Sequence, residues 1–180
     1  MARLPIVLIG LPGCGKSTAG RLAAGMLGAP FADLDELISQ SAGLPMPRVF
    51  VENGEARFRE LERAAMARAL EAPAGVIAPG GGWAAQPGNL DPVAGRVVLI
   101  YLRVTPAMAA ERLGDGAGRP LLTGKNVLTE LTRLLEAREA HYRRAGHSID
   151  TDARSPEWVA AAIAALARKH GAWEAAGAGS

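Results

Sequence analysis

The apolar run IVLI at positions 6–9 leads straight into GLPGCGKST at 10–18. No other stretch of the chain restricts its fold as tightly. A continuous aliphatic run suits a strand covered on both faces, and the segment 16–27 beyond the glycines reads as a helix. Strand, glycine-rich turn and helix, in that order, are the setting in which Gly10-x4-Gly15-Lys16-Ser17 forms a phosphate-binding P-loop. The glycines let backbone N–H groups converge on phosphate oxygens, and the helix N-terminus adds the positive end of its dipole. Lys16 is placed to bridge the β- and γ-phosphates, and Ser17 to give an oxygen to Mg²⁺. Gly13, Cys14, Gly15, Lys16, Ser17 and Thr18 are therefore the candidate nucleotide-binding residues, Cys14 filling a variable slot that asks only for a small side chain. The pattern predicts a nucleoside-triphosphate site.

Downstream, apolar runs and helical patterns alternate. Strands are expected at 6–9, in a short segment ending at Phe31, and at 75–78, 97–104 and 148–149. Helices are expected at 16–27, 36–41, 55–72, 107–113, 128–144 and 158–169. Such alternation gives crossover units, hence an α/β fold with a parallel sheet and helices on both faces. The glycine-rich GDGAGRPLLTGKN lies between two helices and reads as a loop or lid. A length of 180 residues fits one domain, expected to span 1–171. The ending EAAGAGS at 174–180 is small and nearly uncharged, and 172–180 is expected to be a disordered tail.

Composition narrows the partners. With 49% hydrophobic and 21% charged residues the chain reads as a soluble globule, and a formal charge of +2 argues little for nucleic acid or membrane. Lys16, Lys125 and Lys169 are the only lysines among 20 basic residues. The arginine excess suits two-pronged contacts with carboxylate or phosphate, and a GC-rich genome would produce the same bias. An aromatic content of 4% is too low for base-stacking platforms. The single Cys14 leaves no internal disulfide and no cysteine-rich metal site. With no basic-then-apolar leader and no apolar run near the roughly 20 residues of a membrane span, a cytoplasmic protein is expected. No sustained heptad or large apolar tail suggests assembly, so a monomer is expected.

Several residues point to a second substrate. Asp33 and Asp35, in FADLDELI, point the same way if the chain there is extended. One would hold Mg²⁺ through water while the other accepts a hydrogen bond from an acceptor hydroxyl; alternatively Asp35 caps a helix and Asp33 is a solvated turn residue. Arg59 and Glu62 are neighbours on one helix face, which fits either a binding pair or a weak surface ion pair. Gly80, Gly81 and Gly82 follow a strand and let a ligand approach the backbone. In 128–144, Leu131, Leu134, Leu135, Arg138 and Tyr142 share one stripe, so Arg138 falls on the buried face. There it must be paired, face a cleft or snorkel past the core edge. His141, His147 and His170 show no metal-ligand spacing.

Taken in order, GLPGCGKST, FADLDELI, VFVENGEARFRELE, GGG, GRPLL and REAHY resemble the shikimate kinase family from about residue 6 to 168. The aspartate pair, the F-x-x-x-G-E-x-x-F-R-x-x-E run and the triple glycine carry more specificity than the P-loop. The resemblance implies a three-layer P-loop kinase of the nucleoside-monophosphate-kinase type: a five-stranded parallel sheet, a substrate-binding segment near 33–62 and a lid near 114–126. It implies ATP-dependent phosphorylation of the shikimate 3-hydroxyl, a step toward chorismate, with Mg²⁺. Asp35, Arg59, Glu62, Gly80, Gly81, Gly82 and Arg138 would bind shikimate, the two arginines clamping its carboxylate. Lys16, Asp35 and Arg119 would be catalytic, Arg119 reaching the phosphates from the lid. Ser17 would ligate Mg²⁺, Asp33 would orient its water and Arg154 would contact the adenine. Two positions depart from the family pattern: Trp83 replaces a small or aliphatic residue, and Leu34 a small polar one. The rival activities are a gluconate kinase-like enzyme, or another small-metabolite kinase, and a catalytically silent nucleotide-binding module.

Overall fold

Ile6, Val7, Leu8 and Ile9 form β1 (Ile6–Ile9), and all four are buried because helices cover the strand on both faces. The computed structural model describes residues 2–114, 122 and 126–173. Beyond β1 the described elements run α1 (Lys16–Leu27), β2 (Phe31–Asp33), α2 (Leu34–Ala42), α3 (Met46–Glu71), β3 (Val76–Ala78), β4 (Val98–Arg103), α4 (Pro106–Leu113), α5 (Val127–Tyr142), β5 (His147–Asp150) and α6 (Pro156–His170). Short 3₁₀ turns occur at Trp83–Ala85 and Asp91–Val93.

The five strands are parallel, in the order β2-β3-β1-β4-β5. Register is set by apolar pairs such as Ile6 with Val76 and Val98. Every strand therefore ends on the same side of the sheet, where ligands collect in open α/β folds. Helix starts follow local chemistry. Thr105, Asn126 and Ser155 each accept a backbone N–H from the first turn of α4, α5 and α6, and Pro106 and Pro156 occupy first-turn positions where no N–H is needed.

Three expectations change. The strand expected to end at Phe31 starts there and continues to Asp33, and α2 begins directly at Leu34. Helical structure begins at Met46 instead of residue 55, because a proline in the first turn costs no hydrogen bond. α3 then bends at Gly54, whose φ of 74° and ψ of 168° are not helical. Finally, Trp173, expected within the tail, is buried, and its indole N–H donates to the Leu4 carbonyl at 2.9 Å. Residues 174–180 of that tail, and nearly all of the expected lid, lie outside the described residues.

Candidate functional site

The nucleotide side grows out of β1. Gly15 has a φ of 92° and precedes α1 without any side-chain cap, a conformation natural to glycine that leaves the first-turn N–H groups of α1 open to a ligand. Lys16 is buried, and its Nζ donates to the carbonyls of Gly10 at 2.8 Å and Leu11 at 3.1 Å. The ammonium is thus folded over the loop. Ser17 donates its hydroxyl proton to Asp33 Oδ2, while Asp33 Oδ1 accepts from the N–H of Asp35 at 3.0 Å and of Glu36 at 3.3 Å. The helix cap is therefore Asp33 and not Asp35. Asp35 sits within the first turn of α2, so the two carboxylates are not related by an extended chain.

Gly13, Cys14, Gly15, Lys16, Ser17, Thr18, Asp33, Asp35, Gly80, Gly81 and Arg154 line one cavity of about 430 Å³. Arg154 is exposed, its guanidinium 4.3 Å from the centre of the Trp158 ring. Among the further lining residues that sequence reasoning missed are Pro12, Arg112 and Thr151. Arg112 donates to the Gly13 carbonyl at 3.3 Å and to the Thr151 carbonyl at 2.5 Å, tying the P-loop to the turn after β5. Its only sequence signal is a basic residue in the last turn of a helix, which equally suits the helix dipole.

The acceptor side adjoins this cavity at the triple glycine after β3. A Cβ placed on Gly80 would lie 3.0 Å from Glu62 Oε1 and 3.4 Å from Asp35 Oδ1. One placed on Gly82 would lie 3.1 Å from Arg59 Nη2 and 3.3 Å from an Nη of Arg138. Four charged side chains, Asp35 from α2, Arg59 and Glu62 from α3 and Arg138 from α5, thus converge on a bare backbone turn. Arg59 and Glu62 are no surface pair: their side chains are 11% and 1% exposed, with Arg59 Nη1 donating to Glu62 Oε2 at 2.9 Å. Arg138 is buried as well. Burial pushes the Glu62 carboxyl above its ordinary value; the charge and hydrogen bond of Arg59 oppose this, Asp35 adds to it and Arg138 opposes it. Glu62 Oε1 and Arg59 Nε are buried without a hydrogen-bond partner among the described residues. Such atoms favour a ligand that brings hydroxyl and carboxylate groups. Two guanidiniums held beside one glycine make a fork suited to a carboxylate.

Trp83 is buried behind the turn, where its carbonyl accepts from the Asn89 side chain at 2.9 Å. Leu34 is buried between the aspartates. Arg119 lies outside the described residues. No three His, Cys, Asp or Glu side chains among the described residues form a self-contained metal centre, yet the Ser17 hydroxyl and Asp33 carboxylate are adjacent hard oxygen donors of the kind Mg²⁺ takes together with substrate phosphates. No described helix is long and apolar enough to cross a membrane.

Comparison with known proteins agrees with this geometry. The family model described as shikimate kinase matches residues 12–168. A shikimate kinase of Salinispora tropica is 45% identical over 161 residues, covering 89% of this chain and 95% of the relative. The solved shikimate kinase from Acinetobacter baumannii in complex with shikimate superposes with a TM-score of 0.87 at 32% identity, covering 93% of this chain and 94% of that one. A gluconokinase from Sinorhizobium meliloti shares the fold alone, with a TM-score of 0.61 at 19% identity over 94% of each chain. Matched by that family model over most of its length and 45% identical to a curated member, the chain belongs to the shikimate kinase family.

Proposed function

We propose that this protein transfers the γ-phosphoryl group of ATP to the 3-hydroxyl of shikimate. The observation that carries the reading is the meeting of Arg59 and Arg138 at Gly82, next to a P-loop cavity. Phosphoryl transfer asks a protein mainly for position and charge. Backbone N–H groups of Gly13 to Thr18 cradle the phosphates, and Lys16 swings from its carbonyl partners to the β- and γ-oxygens. Arg154 contacts the adenine. Arg59 and Arg138 clamp the shikimate carboxylate, Glu62 holds Arg59 and meets a substrate hydroxyl, and the bare backbone of Gly80 to Gly82 lets the ring approach. Asp35 takes the hydrogen bond of the attacking hydroxyl and receives its proton. Ser17 and, through water, Asp33 would hold Mg²⁺, which would supply charge to offset that of the phosphate oxygens. Arg119 closes from the 114–126 lid and helps exclude water that would otherwise hydrolyse ATP.

The test is ADP release from Mg-ATP with shikimate, with gluconate and with no acceptor in parallel. Release should need shikimate; release with gluconate alone, or equally without any acceptor, would overturn the assignment.

A further inference from the structure

The REAHY motif contains a second residue whose position has consequences for the site. Tyr142 follows Arg138 by one helical turn, on the same face of α5. It is fully buried, and its hydroxyl donates to the Gly81 carbonyl at 2.5 Å. Its ring packs on Tyr101 of β4, with centroids 5.2 Å apart. Gly81 also lies close against the P-loop: a Cβ there would come within 2.8 Å of Pro12 Cδ and 3.2 Å of the Gly10 carbonyl. The middle glycine is therefore fixed between the P-loop and a tyrosine hydroxyl, and the next residue, Gly82, faces both guanidiniums. Burial drives the phenol well above its ordinary pKa, with Arg138 opposing through charge and a hydrogen bond, so the group remains a neutral donor at physiological pH.

We propose that Tyr142 is a positioning residue for the acceptor: it sets the distance between the glycine turn and the Arg138 guanidinium, and thereby the width of the carboxylate fork. Its side chain is fully buried and its hydroxyl is spent on the Gly81 carbonyl, so it acts through Gly81 and Arg138. The inference rests on the reading of the site as a shikimate kinase.

Tyr142→Phe removes the hydroxyl and keeps the ring. Loss of one buried hydrogen bond to the turn should raise the KM for shikimate roughly fivefold or more, while the KM for ATP stays within about twofold. Tyr101→Phe, in the same aromatic contact, should leave both unchanged. Equal rises in both KM values, or none in the KM for shikimate, would overturn the proposal. If the wild-type protein does not phosphorylate shikimate, the functional reading fails by itself. Amide exchange then decides the positioning role: faster exchange at 80–83 in Tyr142→Phe but not in Tyr101→Phe supports it, and unchanged exchange overturns it.

Discussion

Arg138 and Asp35 are both charged, both beside the glycine turn, and should fail in different ways when removed. Arg138 is proposed to hold a group that does not change during the reaction, so its interactions stabilise bound substrate and transition state alike. Arg138→Ala should raise the KM for shikimate about 10- to 100-fold, the loss of a charge-assisted pair, with a much smaller change in the KM for ATP. Asp35 is proposed to meet the reacting hydroxyl, where charge moves. Asp35→Asn should therefore lower kcat by about 10²- to 10⁴-fold with the melting temperature nearly unchanged. Initial-rate kinetics with each substrate varied separate the two; a kcat loss for Asp35→Asn of only a few-fold would reduce it to a residue of the α2 first turn. Arg138 was legible in the sequence as a candidate through its place on an apolar stripe, whereas Asp35 was singled out by an extended pairing with Asp33 that the first turn of α2 does not keep. Glu62 was legible only as the neighbour of Arg59 three residues on; its burial on the face of Phe58, Ala65 and Met66 came from the fold. The contribution of Asp33 to capping was not legible: which aspartate caps depends on where β2 stops, and a three-residue strand leaves too short a pattern to place that boundary.

At the scale of elements, the bend in α3 matters most. α3 packs on α2, and Val49 of its first half is buried, while 55–71 carry Arg59 and Glu62. The sequence hid the first half, because Pro45, Pro47 and Gly54 break any helical pattern while the fold uses them as a start and a hinge. Gly54 has open space where a Cβ would sit, so only its backbone angles oppose substitution. Its φ of 74° with ψ of 168° lies in a region nearly restricted to glycine. Gly54→Ala should cost about 1–3 kcal/mol of stability and weaken shikimate binding, since the half-helix bearing Arg59 must re-aim. Gly25→Ala offers the contrast: it lies within α1, also with open space around its Cβ, and should stabilise by about 0.5–1 kcal/mol. Urea unfolding of both variants gives the two signs. A Gly54→Ala protein as stable as Gly25→Ala would mean that the bend is not required by the fold.

Across the whole molecule, the parallel sheet separates two tasks. The C-terminal strand ends carry the P-loop, Asp33, the triple glycine and the turn at Thr151, while the opposite ends are closed by contacts of Arg3 and Leu4 with Gly171 and Trp173. Alternating strand and helix patterns made the layers legible, but the order β2-β3-β1-β4-β5 depends on pairing between segments far apart in sequence, which periodicity does not encode. The same is true of Trp173. Composition alone assigned it to a tail, yet its ring packs against Gly171, Arg3 lies 5.1 Å over it, and its N–H reaches Leu4. The Leu4 N–H in turn donates to the Gly171 carbonyl at 3.0 Å, joining the chain before β1 to the end of α6. With 3% of its surface exposed, Trp173 is part of the core. Trp173→Ala should cost about 3–5 kcal/mol, which for a chain of this size lowers the melting temperature by on the order of 10 °C. Because the residue closes the end of the sheet away from the P-loop, the KM values for ATP and shikimate at 25 °C should remain within about twofold of wild type. Thermal unfolding alongside kinetics reads both quantities. A large change in either KM without a loss of stability would show that the two ends of the sheet are coupled, and that the fold does not divide support from chemistry in this way.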